Sequence, residues 1–240
     1  MRTVIWGANG AMGQLLRKAL GEEVSGLVSL DGENGVARNA QELPDVKPEA
    51  VIDFSHHSAV AEVTAYAVSQ GCPLVIGTTG HTEEEQALIY AAAEKIPVFY
   101  SHNMSLGIAV LCRIAKEAAA CFPEADIEIL EIHHNRKVDA PSGTAHMLFR
   151  ALQEVRPEAV KVCGRAGEGK RQKKEIGIAS LRMGNVVGVH EVHICTPSQT
   201  LTLRHEAANR GMFADGAVEA ARFLQGKAPG FYTMQDFLER

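Results

Sequence analysis

The sequence lacks the cysteine pattern of a disulfide-stabilised or zinc-binding protein. Its five cysteines are odd in number, they are scattered along the 240 residues, and no two of them form a CxxC pair. Small secreted domains rely on paired cysteines, whereas reducing compartments keep thiols free. We therefore expect a cytoplasmic protein without structural disulfides and without a cysteine-rich metal site.

Long apolar runs and an excess of one charge are also missing. No apolar run approaches the roughly 20 residues that a membrane span needs, and residues 1–7 enter a strand-like run without a signal-peptide pattern. The 24 basic and 29 acidic residues leave a net charge of −5. A balance so close to zero gives no bulk attraction for nucleic acid or an anionic membrane. Membrane, secreted and nucleic-acid-binding proteins are therefore set aside, and a globular fold with 46% hydrophobic residues remains.

The first hundred residues alternate short apolar runs with helical patterns. The runs are rich in Val, Ile and Leu and predict strands over residues 3–6, 25–30, 50–54, 74–76 and 97–100. The segments between them predict helices over residues 12–20, 58–69 and 82–94. Strands that alternate with helices build βαβ units. We expect a doubly wound α/β domain with a parallel sheet.

The pattern changes after Asn103. Two helices are predicted over residues 106–121 and 142–155, with a strand over 126–132 between them. Three strand-like runs then follow in quick succession, over residues 176–181, 186–194 and 200–205. This order predicts a second, α+β domain over residues 105–208, with a mostly antiparallel sheet faced by helices. A last helix over 215–225 is expected to return to the first domain, which then comprises residues 1–104 and 209–240.

A glycine-rich turn follows the first predicted strand and opens the first predicted helix. Gly7, Gly10 and Gly13 form a G-x-x-G-x-x-G spacing. Small residues there permit a tight turn and let a pyrophosphate approach the helix N-terminus over bare backbone. An ordinary strand-to-helix turn is the alternative. The context favours a dinucleotide site, and thus a Rossmann-type domain.

Polar residues at the ends of other predicted strands support this site. Asp31 follows the second strand, where a carboxylate can accept hydrogen bonds from the adenosine ribose, although a turn aspartate before Gly32 is the alternative. The segments 53–55 and 77–80 follow the third and fourth strands. Ligands of open α/β sheets lie beyond the carboxyl ends of the strands, so these two loops are expected to line the cofactor crevice. The segment 101–103 follows the fifth strand, where the pattern changes, and is expected to lie between the domains at a catalytic cleft.

The densest polar run is EIHHNRKVDAPSGTA, residues 131–145. Its end, Pro141 to Thr144, can form a helix N-terminus that binds an anion. Lys137 adds a positive charge, and a histidine titrates near neutrality as a general acid must. The alternative is a polar loop in which Ser142 or Asp139 caps a helix. A zinc site is disfavoured because adjacent histidines are awkward ligands and no third ligand has a fitting spacing. The run predicts a site that holds a carboxylate beside a proton donor.

With these motifs the sequence resembles the 4-hydroxy-tetrahydrodipicolinate reductase (dihydrodipicolinate reductase) family. The H-H-x-x-K-x-D-A-P-S-G-T run is more specific than the glycine turn, and the resemblance covers essentially the whole chain. It implies removal of water from a cyclic hydroxy-imine dicarboxylate and reduction of the ring by NADH or NADPH, in lysine and diaminopimelate biosynthesis. It also implies a homotetramer assembled through the central sheet.

The resemblance assigns residue roles. It implies that His133 gives and takes a proton, that His134 contacts substrate, and that Lys137 donates a proton and anchors a carboxylate. The amides of Gly143 and Thr144 would hold a carboxylate. The implied cofactor contacts are Gly7, Ala8, Asn9, Gly10, Ala11, Met12, Asp31, Gly77, Thr78, Thr79, Ser101, His102, Asn103 and Met104.

The sequence departs from the family pattern near the adenosine ribose. Many members carry a basic residue in the glycine turn or after the acidic residue, whereas this chain has Asn9, Ala11 and Gly32. A 2′-phosphate would meet Asp31 without a nearby cation at those positions, so we expect NADH to be favoured over NADPH. Two other functions remain open, an aspartate dehydrogenase-like enzyme and a non-catalytic NAD(H) sensor.

Overall fold

The computed structural model describes residues 1–239, and for residue 34 the backbone alone. The chain divides into two compact units. Unit 1 comprises Met1–Ser105 and Arg210–Arg240, and unit 2 comprises Leu106–Asn209. No helix within residues 1–239 combines the length and the apolar character needed to cross a membrane.

Unit 1 is an α/β fold built on a six-stranded parallel sheet. Numbered along the chain, its strands are β1 (Thr3–Trp6), β2 (Val24–Val28), β3 (Ala50–Asp53), β4 (Leu74–Ile76), β5 (Pro97–Tyr100) and β11 (Gly230–Tyr232). Its helices are α1 (Ala11–Leu20), α2 (Val60–Gln70), α3 (Glu83–Ala93), α6 (Gly211–Phe223) and α7 (Met234–Leu238). The strand order β11-β5-β4-β3-β1-β2 is that of a Rossmann-like sheet, which confirms the predicted fold of this part.

The inner strands of this sheet are mostly apolar because helices cover both faces. All four residues of β1 are buried. Side chains alternate along a strand, so Val4 and Trp6 pack in the core beneath α2 and α3. Phe99 of β5 lies on the other face of the sheet, where its ring packs edge-on against Phe223 of α6, with 6.3 Å between ring centroids. All strands run in one direction, and their carboxyl ends therefore bring the predicted cofactor loops to one edge of the sheet.

Unit 2 is a five-stranded sheet with two helices packed on one face. Its strands are β6 (Asp126–His133), β7 (Val160–Cys163), β8 (Glu175–Arg182), β9 (Val189–Cys195) and β10 (Thr200–Glu206). Its helices are α4 (Leu106–Cys121) and α5 (Gly143–Gln153). Leu111 of α4 and Leu148 of α5 pack with Ile127 and Ile129 of β6 in the core between helices and sheet.

The prediction of a mostly antiparallel sheet is wrong for unit 2. The order is β10-β9-β6-β8-β7, in which β6 pairs antiparallel with β9 but parallel with β8, and β7 also pairs parallel with β8. The chain leaves β6, crosses over through α5 and returns in the same direction, which is what a crossover helix requires. The strand β7 is short and little buried, and no strand is predicted there from the sequence.

Candidate active site

The glycine turn in unit 1 requires glycine for two steric reasons. Gly7 has φ = +80°, and a Cβ there would overlap the backbone of Phe54. A Cβ on Gly13 would overlap Ala8 and the Gly7 carbonyl. Ala8 itself is fully buried. The bare backbone of the turn is therefore a requirement of close packing, and it keeps the approach to α1 open.

The start of α1 has the properties of an anion-binding helix end. Gly10, its N-cap, makes no side-chain capping hydrogen bond, and the first turn contains no acidic residue. Ala11 is exposed and Met12 is half-buried. The amide groups of a first helical turn lack partners inside the helix and lie at the positive end of the helix dipole. This end fits a pyrophosphate.

A cavity of about 380 Å³ adjoins this turn. Asp31 lines it, and its Oδ1 accepts a hydrogen bond of 2.6 Å from Asn9 Nδ2. That bond, together with the backbone amide of Glu33, holds the pKa of Asp31 below its usual range. Arg38 lines the same cavity and lies over Gly32, where a Cβ would overlap its side chain. The cavity is thus lined by a carboxylate that can accept hydrogen bonds from ribose hydroxyls and by the side chain of Arg38.

Asp53, the first residue of one loop predicted to line the cofactor crevice, connects that loop to the predicted loop 77–80. It ends β3 and is 1% exposed. Its Oδ1 accepts hydrogen bonds from Ser55 Oγ at 2.5 Å and Ser55 N at 3.0 Å, and its Oδ2 accepts one from Thr78 Oγ1 at 2.7 Å. Gly77 packs against the Phe54 ring so closely that a Cβ has no room. Thr78 is therefore held in place by Asp53, while Thr79 is exposed.

The burial of Asp53 leads to a testable prediction about protein stability. Burial raises its pKa, and the hydrogen bonds from Ser55 and Thr78 only partly offset that. A raised pKa means that the folded protein binds this proton more tightly than the unfolded chain. The contribution of Asp53 to stability therefore falls as the pH rises from 3.8 through the pKa of the folded state.

Replacing Asp53 with asparagine removes the buried charge at similar volume. We expect Asp53→Asn to raise Tm at pH 7 relative to the parent protein, by an amount that shrinks towards pH 4. Thermal melts at both pH values measure this. A Tm difference that stays constant with pH would show that the carboxylate is not desolvated as described.

Hydrogen bonds within the loop after β5 help to fix its shape. Ser101 Oγ donates to the carbonyl of Asn103 at 2.7 Å, and Asn103 Oδ1 accepts from the amide of Ser105 at 2.9 Å. His102 is exposed, with its ring 5.1 Å from that of Tyr100. Met104 is 2% exposed, so its side chain is buried. A cofactor contact at Met104 would have to come from its backbone.

The polar cluster of unit 2 is built from the inward face of β6. Residues 127, 129, 131 and 133 share one side of the strand, and the first two are core isoleucines. Glu131 and His133 therefore follow at inward positions, and His133 Nδ1 lies 2.5 Å from Glu131 Oε2. Glu131 is fully buried, whereas the His133 side chain is 12% exposed.

Arg182, at the end of β8, binds the same carboxylate with both terminal nitrogens, at 2.7 and 3.0 Å. Burial alone would raise the pKa of Glu131, but the hydrogen bonds from His133 and Arg182 outweigh it and lower the pKa to about 2. Glu131 is therefore an anion near neutral pH. Its Oε2 is an acceptor only, so His133 directs Nδ1–H towards it and leaves Nε2 for proton transfer.

The N-terminus of α5 adjoins this cluster. Ser142 caps the helix by accepting a hydrogen bond of 3.2 Å from the amide of Ala145, and its own amide donates to Glu131 Oε1 at 3.2 Å. His190 Nε2 lies 3.1 Å from Ser142 Oγ. Gly143 and Thr144 are the first two residues of the helix, and Gly143 faces open space. The predicted carboxylate-binding end is therefore a capped helix start without an acidic residue in its first turn.

Lys137 and His134 lie in the segment between β6 and α5. The Lys137 ammonium forms an ion pair of 2.7 Å with Asp139, whose backbone carbonyl accepts a hydrogen bond of 2.7 Å from Arg182. Contacts thus run from Lys137 through Asp139 and Arg182 to Glu131. His134 is half-buried, and its carbonyl accepts from the Lys137 amide at 3.1 Å. All five residues predicted for substrate chemistry lie in unit 2, and all the predicted cofactor contacts lie in unit 1.

Three side chains of unit 2 come close to a metal-ligand grouping. One donor atom from each of Glu131, His133 and His190 lies within 4.8 Å of the others. Arg182 already occupies both oxygens of Glu131 and supplies the positive charge beside them. A cation there would have to displace a guanidinium, so the arrangement favours proton transfer over metal binding.

Three residues of this cluster are given no role by the sequence-based prediction: Glu131, Arg182 and His190. The alternation of inward and outward side chains along a strand could have identified two of them. Glu131 continues the inward series of Ile127 and Ile129, and His190 precedes the inward Val192 and Ile194 on β9. Charged or titratable groups at inward positions are buried only with partners. The role of Arg182 depends on the β6·β8 pairing, which the sequence does not reveal.

The fold and the two clusters define a class of protein, the two-domain nicotinamide-dinucleotide oxidoreductases. An amine dehydrogenase from Mycobacterium smegmatis shares the fold, with a TM-score of 0.61, 13% identity, and coverage of 98% of this chain and 95% of that one. Family models described as dihydrodipicolinate reductase, N-terminus and C-terminus, match residues 1–104 and 107–238. The chain belongs to the dihydrodipicolinate reductase family.

Individual relatives agree with this assignment. The chain is 41% identical over 242 residues to the 4-hydroxy-tetrahydrodipicolinate reductase of Alkaliphilus metalliredigens, with 99% of each chain covered. It is 42% identical over 252 residues to the reductase of the same name from Caldanaerobacter subterraneus, covering 100% of this chain and 99% of the relative. A dipicolinate-bound dihydrodipicolinate reductase from Paenisporosarcina sp. TG-14 is similar in structure, with a TM-score of 0.80, 26% identity and 99% of each chain covered.

Proposed function

We propose that this enzyme reduces 4-hydroxy-tetrahydrodipicolinate to tetrahydrodipicolinate with NADH or NADPH, in the biosynthesis of diaminopimelate and lysine. The observation that carries the proposal is the cluster of unit 2, where His133, held by a buried carboxylate, adjoins the N-terminus of α5. A proton donor next to an anion-binding helix end is what reduction of a ring dicarboxylate requires. Membership in the family and the names of the relatives support the same reaction.

Unit 1 fits a dinucleotide on two structural grounds. The turn at Gly7 and Gly13 has no room for a Cβ, and the cavity beside it presents the Asp31 carboxylate. In the proposal, the start of α1 holds the pyrophosphate, Asp31 the adenosine ribose, and the loops 77–79 and 101–104 the nicotinamide end. A bound nicotinamide supplies a hydride from C4.

Unit 2 supplies the proton and the substrate contacts. The substrate loses water, and the ring then gains one hydride and one proton while NAD(P)H becomes NAD(P)⁺. We assign the proton to His133 Nε2, since Nδ1 is directed to Glu131. Lys137 and the amides of Gly143 and Thr144 bind substrate carboxylates, and His134 contacts the substrate. Lys137 has to exchange Asp139 for a substrate carboxylate, and the exposure of Asp139 to solvent keeps the cost of breaking that ion pair small.

Oxidation of NADH by the purified protein tests the proposal. We expect oxidation with freshly generated 4-hydroxy-tetrahydrodipicolinate and none with buffer alone. NAD⁺ reduction with aspartate would instead identify an aspartate dehydrogenase-like enzyme. Tight NADH binding with turnover of neither compound would identify an NAD(H) sensor and overturn the proposal.

The proposal includes a modest preference for NADH. A 2′-phosphate brings roughly two negative charges towards the Asp31 carboxylate, and these like charges repel one another. Arg38 lines the same cavity and offsets part of this repulsion, so NADPH remains a substrate. The ratio of kcat/KM for NADH to kcat/KM for NADPH measures this preference. We expect Asp31→Ser to lower the ratio towards one or below one.

Arg38→Ala is the matched variant for that experiment. It removes the cation and keeps the carboxylate, so we expect the ratio to move further towards NADH. Both ratios come from initial rates at matched cofactor concentrations. A parent enzyme that prefers NADPH tenfold or more would show that Asp31 does not face the ribose.

Two further parts of the proposal concern organisation. Unit 1 is the dinucleotide-binding domain, and unit 2 binds substrate and forms the homotetramer. The face of the unit 2 sheet opposite α4 and α5 presents Leu130, Ile132 and Leu181, and Leu181 is 45% exposed. A second copy would cover such residues. Sedimentation at micromolar concentration measures the assembly, and a monomer would contradict this part.

A further inference from the structure

One buried carboxylate joins three segments of unit 2. Glu131 accepts hydrogen bonds from His133 on its own strand, from Arg182 at the end of β8, and from the amide of Ser142 at the start of α5. None of its surface is exposed. The side chain that orients the proton donor therefore also fixes the N-terminus of the helix assigned to a substrate carboxylate.

The charges around Glu131 suit a proton donor that must change its protonation state. Arg182 binds both carboxylate oxygens, so Glu131 and Arg182 form a neutral pair before His133 is counted. When His133 loses its Nε2 proton, the buried Glu131 carboxylate therefore still has Arg182 as its charge partner. The Nδ1–H donated to Glu131 keeps the ring in one tautomer and one orientation throughout.

The space around Nε2 is also restricted. A Cβ on Gly188 would lie 3.1 Å from His133 Nε2. The His190 ring meets that of His133 edge-on, with 5.1 Å between centroids. Burial lowers the pKa of His190 to about 4, so this neighbour is neutral near pH 7. The titratable and charged groups facing His133 are thus Glu131, Arg182 and His190, with Lys137 further along the chain of contacts.

We infer that Glu131 is a positioning residue, which acts through His133 and Ser142 to hold the proton donor and the carboxylate-binding helix end in one fixed arrangement. The inference rests on the proposed function for its kinetic readout. Arg182 has the supporting role of balancing the charge of Glu131. Neither side chain is assigned a contact with substrate or cofactor.

Glu131→Gln tests this assignment. We expect kcat to fall by about 10- to 100-fold, while the affinity for NADH stays unchanged because unit 1 binds it. The retained Arg182 charge, no longer balanced by an anion, disfavours the protonated donor. We therefore expect the basic limb of the kcat–pH profile to move to lower pH. Glu154→Gln is the control, because Glu154 pairs with Lys116 and has no contact with the cluster among the described residues, and it should leave both quantities unchanged.

A second variant controls for the possibility that Glu131→Gln does not fold. Glu131→Gln combined with Arg182→Met removes both charges from the interior. We expect a folded protein whose kcat–pH profile has its basic limb nearer to that of the parent enzyme. Its kcat should stay low, because an amide at position 131 can both donate and accept and no longer fixes the tautomer of His133. A folded double variant with the parent kcat would overturn the inference.

The tautomer gives a readout that is independent of turnover. In protein labelled with ¹⁵N-histidine, we expect the neutral His133 ring to carry its proton on Nδ1, and to become a mixture of tautomers in the double variant. A parent protein with this tautomer but no reductase activity would retain the positioning role and reject the proposed function. A parent protein with the proton on Nε2 would reject the positioning role alone.

Discussion

His133→Gln is expected to lower kcat by about 10²- to 10⁴-fold, which is the usual contribution of a positioned general acid. Glutamine keeps most of the volume and can still hydrogen-bond Glu131, but it has no titratable proton to give to the ring. The affinity for NADH should stay unchanged because all the proposed cofactor contacts lie in unit 1. Steady-state kinetics and direct NADH titration measure the two quantities.

A matched control is available in the same unit. His146 lies on α5, and its Nδ1 is 3.3 Å from Lys161. His146→Gln removes an imidazole that has no contact with Glu131, so kcat should change little. If His133→Gln also has the parent kcat, the proton comes from His134 or from water, and the assignment of His133 is wrong.

Lys137→Ala is the second large effect that we expect. The ammonium is half-buried and would pair with a substrate carboxylate, so its loss should cost on the order of 2–4 kcal/mol of transition-state stabilisation. That corresponds to a fall in kcat/KM of roughly 30- to 1000-fold. Dipicolinate, a planar dicarboxylate, should lose affinity by a similar factor when measured as a competitive inhibitor.

Asp139→Asn separates the charge of Lys137 from its packing. Asp139 holds the ammonium at 2.7 Å in the structure described here, and asparagine binds it less strongly. The variant should therefore bind dipicolinate as well as the parent enzyme or better. Equal losses of NADH and dipicolinate affinity in Lys137→Ala would instead show that Lys137 supports the fold.

The sequence predicts unit 1 better than unit 2 for a physical reason. Strands of a parallel sheet are covered on both faces, so β1 and β3 appear as uninterrupted apolar runs with glycine or polar residues at their ends. The direction in which a strand runs produces no comparable pattern in the sequence. Whether β8 runs parallel or antiparallel to β6 depends on the crossover through α5, and the antiparallel prediction fails there. The edge strand β7 is too short and too exposed to show a pattern.

The candidate site divides in a similar way. Residues within one local motif, such as Gly7 or the run from His133 to Thr144, are visible in the sequence because their spacing is fixed by a single turn or helix start. Arg182 is 51 residues from Glu131, and Thr78 is 25 residues from Asp53. Such partners meet through strand pairing, which only the structure shows. Glu131 is the exception, since its inward position on β6 could be read from the alternation of Ile127 and Ile129.

The most direct test of the central claim follows the hydride. NADH carrying deuterium at both C4 positions is incubated with the enzyme and freshly generated 4-hydroxy-tetrahydrodipicolinate, and the product is analysed by mass spectrometry. We expect tetrahydrodipicolinate with one deuterium for each NADH oxidised. Oxidation of NADH without deuterium in the ring, or the absence of this product, would contradict the proposed hydride transfer.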